Sequence, residues 1–162
     1  MKLELNIIPI NGLQGLCDTD ALITSDWSSI YVDHGRYWDE RYKNRLRFSL
    51  AHEIGHFVLH KQVYNDFEIE SVEHFYEFME KIPGDKYGYL ETQANKFANY
   101  LLVPRKELFA EKEKIIKRKR KALEGISEKM VNSYIAIPIA EIFGVSENVA
   151  EIALNDIIDL EE

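Results

Sequence analysis

A short run of mixed chemistry, His52-Glu53-Ile54-Gly55-His56, sits inside an otherwise apolar stretch and dictates how the chain around it must fold. Leu46 to Ala51 before it and Phe57-Val58-Leu59 after it are apolar on most faces, as a central buried helix requires. Two imidazoles, a carboxylate and a glycine are costly to bury there unless something satisfies them. At about 100° per residue, His52 and His56 project from one face, one turn apart, so both rings reach the same point. The pattern is that of a metal site, with zinc favoured. Two neutral imidazoles leave room for a third protein ligand and a water, and Glu53, beside the first histidine, can accept that water's proton. Such an arrangement suits hydrolysis.

A third ligand must come from elsewhere in the chain. The downstream acids are Asp66, Glu68, Glu70, Glu73, Glu77, Glu80, Asp85 and Glu91. Glu70, Glu73, Glu77 and Glu80 recur at helical spacing among Val72, Phe75, Tyr76 and Met79, which fits an amphipathic helix with its acids in water. Glu91 differs, because it shares a helical face with Ala94, Ala98 and Leu101 in a helix ended by Val103-Pro104. A carboxylate on a small, apolar face points inward and needs a cation.

The string Arg47-Phe48-Ser49-Leu50-Ala51-His52-Glu53-Ile54-Gly55-His56-Phe57-Val58-Leu59-His60, followed by Glu91-Thr92-Gln93-Ala94-Asn95-Lys96-Phe97-Ala98 and Leu101-Leu102-Val103-Pro104, resembles the ImmA/IrrE family of zinc metallopeptidases. The likeness spans roughly residues 20–110 and rests on two separated motifs in the same order. It implies a gluzincin-type site, HExxH followed by Glu, that holds one zinc ion on His52, His56 and Glu91. Val103 stands where the family usually has Met, and Gln93 where it often has a further Glu. The resemblance also implies limited proteolysis of a helix-turn-helix transcriptional repressor, in a mobile-element or stress-response system. The alternative is a metal-binding regulatory or toxin-antitoxin protein that docks without turnover; an intact Glu53 favours the enzyme.

In the expected mechanism Glu53 is the general base and returns its proton to the leaving amine. Candidates for an oxyanion donor or for a partner behind the ligands are His60, one turn after His56, Asn95, one turn after Glu91 and suited to orient its carboxylate, and the tyrosines Tyr89, Tyr87 and Tyr64. Gly55 suggests close approach by another backbone. His34 and His74 read as exposed, and Cys17 as structural, since a single cysteine precludes an internal disulfide.

The periodicity predicts an α+β fold, zincin-like, with a small three-stranded sheet packed against a helical bundle. Residues 1–162 read as one metallopeptidase domain, comprising a sheet-forming part at 1–44, a zinc-binding helical core at 45–125 and a helix-turn-helix-like tail at 126–162. Leu3, Leu5 and Ile7 alternate with polar neighbours in a half-buried strand that should end at Pro9. Strands at 21–24 and 29–32 flank a hairpin loop at 25–28. Helices are expected near 67–81, 87–103, 105–123 and 127–137, then as a C-terminal pair with Gly144 at the turn and Ser146 capping the last helix; the final Asp159-Leu160-Glu161-Glu162 should fray.

With 46% hydrophobic residues in 162, the chain can build a real core. No apolar run approaches the roughly 20 residues of a membrane span, and the start lacks a signal-peptide pattern, so a cytoplasmic protein with no membrane partner is expected. Lys112 to Lys121 holds seven bases and one acid, yet the chain carries a net −8. That balance opposes approach to nucleic acid, so no direct nucleic-acid binding is expected. The run reads first as a solvated helix face and second as a surface for an acidic protein. The last helix carries Glu147, Glu151 and Asp156 with no cation, unlike a DNA-reading helix.

Overall fold

The computed structural model describes residues 4–24, 26–65 and 71–158. Asp66, Glu68, Glu70 and Asp159 to Glu162 lie outside the described residues, as do the side chains of Tyr64 and Phe75. The architecture is α+β, mostly helical with one three-stranded sheet. The chain divides into two compact units, Met1–Ala98 and Asn99–Glu162.

In the first unit the order is β1 (Asn6–Ile10), α1 (Leu13–Cys17), β2 (Ala21–Ile23), β3 (Ser29–Asp33), α2 (His34–Tyr37), a 3₁₀ turn at Glu40–Tyr42, α3 (Lys43–Leu59), α4 (Lys61–Asn65), α5 (Val72–Lys81) and most of α6 (Gly84–Leu102). The sheet order is β1-β3-β2. β2 and β3 form the expected antiparallel hairpin, with Leu22 opposite Tyr31, whereas β1 pairs with β3 in parallel, Ile8 opposite Tyr31. β1 continues through Pro9 instead of stopping there. The Asn6 N–H donates to the Ser28 carbonyl at 3.0 Å, so the period of two turns the Pro9 nitrogen away from β3, and an edge strand tolerates it. The expected alternation also fails at Ile7, which is 45% exposed.

Leu13, Leu22, Ile23, Ile30, Val32 and Phe78 make the core of this unit, each at most 2% exposed. Burying each is worth about 1.5–3 kcal/mol. Leu46, Leu50, Ile54 and Phe57, at helical spacing along α3, pack against that core. The sheet therefore anchors one face of α3 and leaves another for chemistry. The far end of α3 is less buried than its sequence suggests, Val58 and Leu59 each being 50% exposed.

Asp33 caps α2, its Oδ1 accepting from the Gly35 and Arg36 N–H groups. Asp20 is 5% exposed and pairs with Arg45 of α3 and, at 3.6 Å, with Arg36. Cys17 is buried, with its Sγ 3.8 Å from the Val72 carbonyl; burial first and Glu73 second push its thiol up, away from reactive thiolate.

The second unit holds the end of α6, α7 (Arg105–Leu123), α8 (Glu128–Phe143) and α9 (Glu147–Ile158). Leu108, Ile135, Ile139 and Leu154 are fully buried there. α8 runs on through Pro138 to Phe143, where the sequence predicts a stop at 137. Pro138 removes one helical donor, and the flanking buried Ile135, Ala136, Ile139 and Ala140 hold the helix across the gap. α8 ends at Gly144, whose φ of 62° is the left-handed conformation a glycine cap adopts most easily. Ser146 Oγ then accepts from the Val149 N–H at 3.3 Å at the start of α9.

Arg105 ties this unit together, donating to Val103 O at 2.7 Å, Asn99 Oδ1 at 2.6 Å and Asp156 Oδ2 at 2.7 Å. Arg105→Ala is expected to cost about 2–3 kcal/mol, because it strands a carboxylate and a buried amide together. Urea denaturation would show that loss as a lower midpoint with an unchanged slope; an unchanged midpoint would refute it. The basic run lies on α7. Lys117 to Lys121 are exposed, but Lys112 is only 8% exposed and bonds Glu128 Oε1 at 2.7 Å, so it belongs to the helix packing and not to a solvated face.

No helix among the described residues is long and apolar enough to cross a membrane.

Candidate metal centre

α3 begins straight after the 3₁₀ turn, where Asp39 accepts from the Arg41 N–H. It ends at His60, whose N–H still bonds the His56 carbonyl at 2.8 Å. Between them, the face opposite the core carries His52, His56 and, across α6, Glu91. His52 Nε2 lies 3.1 Å from Glu91 Oε2, His56 Nε2 lies 3.3 Å from Glu91 Oε1, and the two Nε2 atoms are 2.9 Å apart. One potential ligand atom from each of the three residues falls within 4.8 Å of the other two. Two imidazole nitrogens and a carboxylate are a donor set that a divalent ion such as zinc takes readily. On that chemistry the residues fit the metal the sequence leads one to expect.

The electrostatics agree. Burial disfavours charge on both His52 and Glu91, yet each outweighs that cost through the other. Hydrogen bonding to Glu91 and the charges of Glu53 and Glu91 raise His52, and His52 and His56 lower Glu91 to about 2. Glu53 is 5% exposed, and burial raises it despite the opposing pull of both histidines. Its Oε2 accepts from the Ile23 N–H of β2 at 2.8 Å. These groups open onto a cleft of about 260 Å³ lined by Arg45, Phe48, Ser49, His52, Glu53 and Glu91.

The other expected residues fall at different places. Asn95 Oδ1 contacts His52 Nδ1 at 2.9 Å, so it orients the histidine and not, as expected, the Glu91 carboxylate. His60 is 4% exposed and backs His56, Nδ1 to Nδ1, at 2.9 Å; its other nitrogen meets Gln93 Oε1 at 2.8 Å. It sits behind His56 with both ring nitrogens engaged. Burial holds its pKa down, although Gln93 pulls the other way. Tyr89 is 65% exposed and lines a separate hollow with Val63, Ile82 and Leu90. Its spacing explains this, since two residues turn a helix by about 200°, whereas Tyr87 stands one turn before Glu91 on the same face. The Tyr87 hydroxyl is raised by burial and then by the Glu91 charge and hydrogen bond. His34 and His74 are exposed.

Two contributors escape a reading of the sequence. The Ile23 N–H leaves no trace in residue identity, and Gln93 stands out only as a departure from the ImmA/IrrE pattern. Gly55 has the close neighbour its sequence suggests: a Cβ there would lie 3.2 Å from the Ala94 Cα, the Ala94 carbonyl oxygen and Phe97 Cδ1. Gly55→Ala is therefore expected to forfeit the roughly 1 kcal/mol it would otherwise gain in helix propensity. Gly55→Val should destabilise by about 1–3 kcal/mol and loosen the metal site, because α6 carries Glu91 and Asn95. Thermal unfolding with and without zinc tests this, and a valine variant with wild-type stability would refute it.

Residues 39–155 match a family model described as the IrrE N-terminal-like domain, a peptidase family (M78). The curated proteins returned no match.

Proposed function

Since the chain belongs to the IrrE N-terminal-like peptidase family, we propose that it is a zinc-dependent endopeptidase whose metal is held by His52, His56 and Glu91 and whose general base is Glu53. What supports the reading is the convergence of those three side chains beside a buried glutamate held by a backbone donor. When bound, zinc supplies Lewis acidity, polarising a carbonyl and acidifying water.

Glu53 does the proton work. Its Oε2 is engaged by the Ile23 N–H, which leaves Oε1 to take the proton from the attacking water and pass it to the leaving amine. Its raised pKa suits both halves of that task better than an ordinary carboxylate would. Asn95 and His60 hold the two imidazoles from behind. The same strand, β2, lies at an edge of the sheet, with Thr24 and Asp20 bonding β3 and Ile23 facing the site.

The resemblance of the two motifs to the ImmA/IrrE family supports a helix-turn-helix repressor as the protein cleaved. Incubating the zinc-loaded protein with such a repressor and mapping products by mass spectrometry tests this. Defined fragments, lost with chelator and restored by zinc, are expected. Intact repressor with zinc bound would favour the docking protein without turnover. Chelation should also lower thermal stability, since a ligand at about 1,000 times its Kd contributes about 4 kcal/mol. Neutralising Lys117 to Arg120 should leave peptide cleavage intact; lost cleavage would give that run a recruiting role.

A further inference from the structure

The buried chain His56–His60–Gln93 has a direction, and that direction decides what His56 can offer a metal. Gln93 Oε1 is an acceptor only, so the 2.8 Å contact with His60 Nε2 places a proton on that nitrogen. A neutral imidazole carries one N–H, and His60, 4% exposed and bonded at its two ring nitrogens by a histidine and an amide, has no carboxylate among those partners to favour a charge. Its Nδ1 must then accept. The 2.9 Å contact between His60 Nδ1 and His56 Nδ1 therefore puts a proton on His56 Nδ1 and leaves Nε2, 3.3 Å from Glu91 Oε1, as the nitrogen that can give its lone pair to a metal. His52 reaches the same state by one step, because Asn95 Oδ1 accepts from its Nδ1.

We propose that His60 and Gln93 form a positioning relay that fixes the tautomer of His56, so that its Nε2 lone pair faces the metal position. The relay rests on the metal-site reading above and adds to it a residue, Gln93, that touches no ligand. Reversing the Gln93 amide would reverse every bond in the chain, protonate His56 Nε2 and block ligation. A carboxylate at position 93 can only accept, so it preserves the direction. A leucine there has no direction to impose.

Proton-detected nitrogen NMR of the histidine side chains, with zinc and after chelation, tests the relay. His60 is expected as the Nε2–H tautomer in wild type and in Gln93→Glu, and as a mixture of tautomers in Gln93→Leu. Competition with a chromogenic chelator should show zinc affinity kept or increased in Gln93→Glu and reduced about 10- to 100-fold in Gln93→Leu, with circular dichroism unchanged. A side chain that only fills space would give the opposite ranking, leucine being the better packed. His60 found with its proton on Nδ1, or Gln93→Leu binding zinc as tightly as wild type, overturns the relay. Failure of the underlying site looks different: wild type would bind no zinc, while the His60 tautomer could still be read in the metal-free protein.

Discussion

Glu53→Gln is expected to lower peptide hydrolysis by about 10²- to 10⁴-fold, the range associated with loss of a positioned general base, and to leave zinc bound. The substitution keeps the shape of the side chain, and the amide oxygen can still accept from the Ile23 N–H that holds Glu53 Oε2. What disappears is the capacity to take a proton. The candidate ligand atoms on His52, His56 and Glu91 are untouched. Folding should survive as well, because the change removes a carboxylate whose burial already disfavours its charged form. Turnover of a quenched peptide and zinc per chain, measured on the same sample, give the answer. Unchanged turnover would strip Glu53 of its role. Loss of zinc together with turnover would mean that the glutamate's charge props the site.

The second large effect concerns the metal itself. Glu91→Ala should weaken zinc binding by on the order of 10²-fold or more, given that about 10–16 kcal/mol of binding in small zinc domains is shared among four ligands. The double variant His52→Ala/His56→Ala should purify with almost none. Elemental analysis after purification without added metal checks both; full zinc in Glu91→Ala would remove it from the ligand set. Protons compete for the same atoms. Glu91, held at about 2, stays ionised through any usable pH, whereas His52 is raised above the ordinary imidazole value. Zinc occupancy in a metal buffer should therefore fall as pH drops through the raised His52 pKa, earlier than for an unperturbed histidine. A titration with no change until well below pH 5 would contradict that sign.

The parts of this site that were legible in the sequence are those where chemistry and spacing coincide. His52, Glu53 and His56 lie within one turn and a half of helix, and Glu91 stood out because Ala94 and Ala98, both wholly buried, mark its face as inward. Helix α7 was bounded to the residue by Pro104 before it. Elements too short to carry a period were not legible. α1 has five residues and a glycine among them, and α4 likewise has five. Pro138 misled, since proline ends helices unless burial on both sides outweighs the missing bond. Counting along one helix does not place Asn95 or Tyr89, because their partners are decided by what lies across from it. The parallel partner of β1 could not be read at all, because pairing between distant segments leaves no local mark.

The hydrogen bond between Ile23 and Glu53 ties β2 to α3 at the candidate metal centre. Its donor belongs to the main chain, so alanine scanning along β2 would pass over it without a signal, and comparison of related sequences would find no residue type to conserve. The aim of the Glu53 carboxylate is inherited from the path of a strand. Proline alone among the ordinary amino acids could delete it at position 23, and such a change would sever the reaction from the sheet while every side chain of the metal centre stayed as it is.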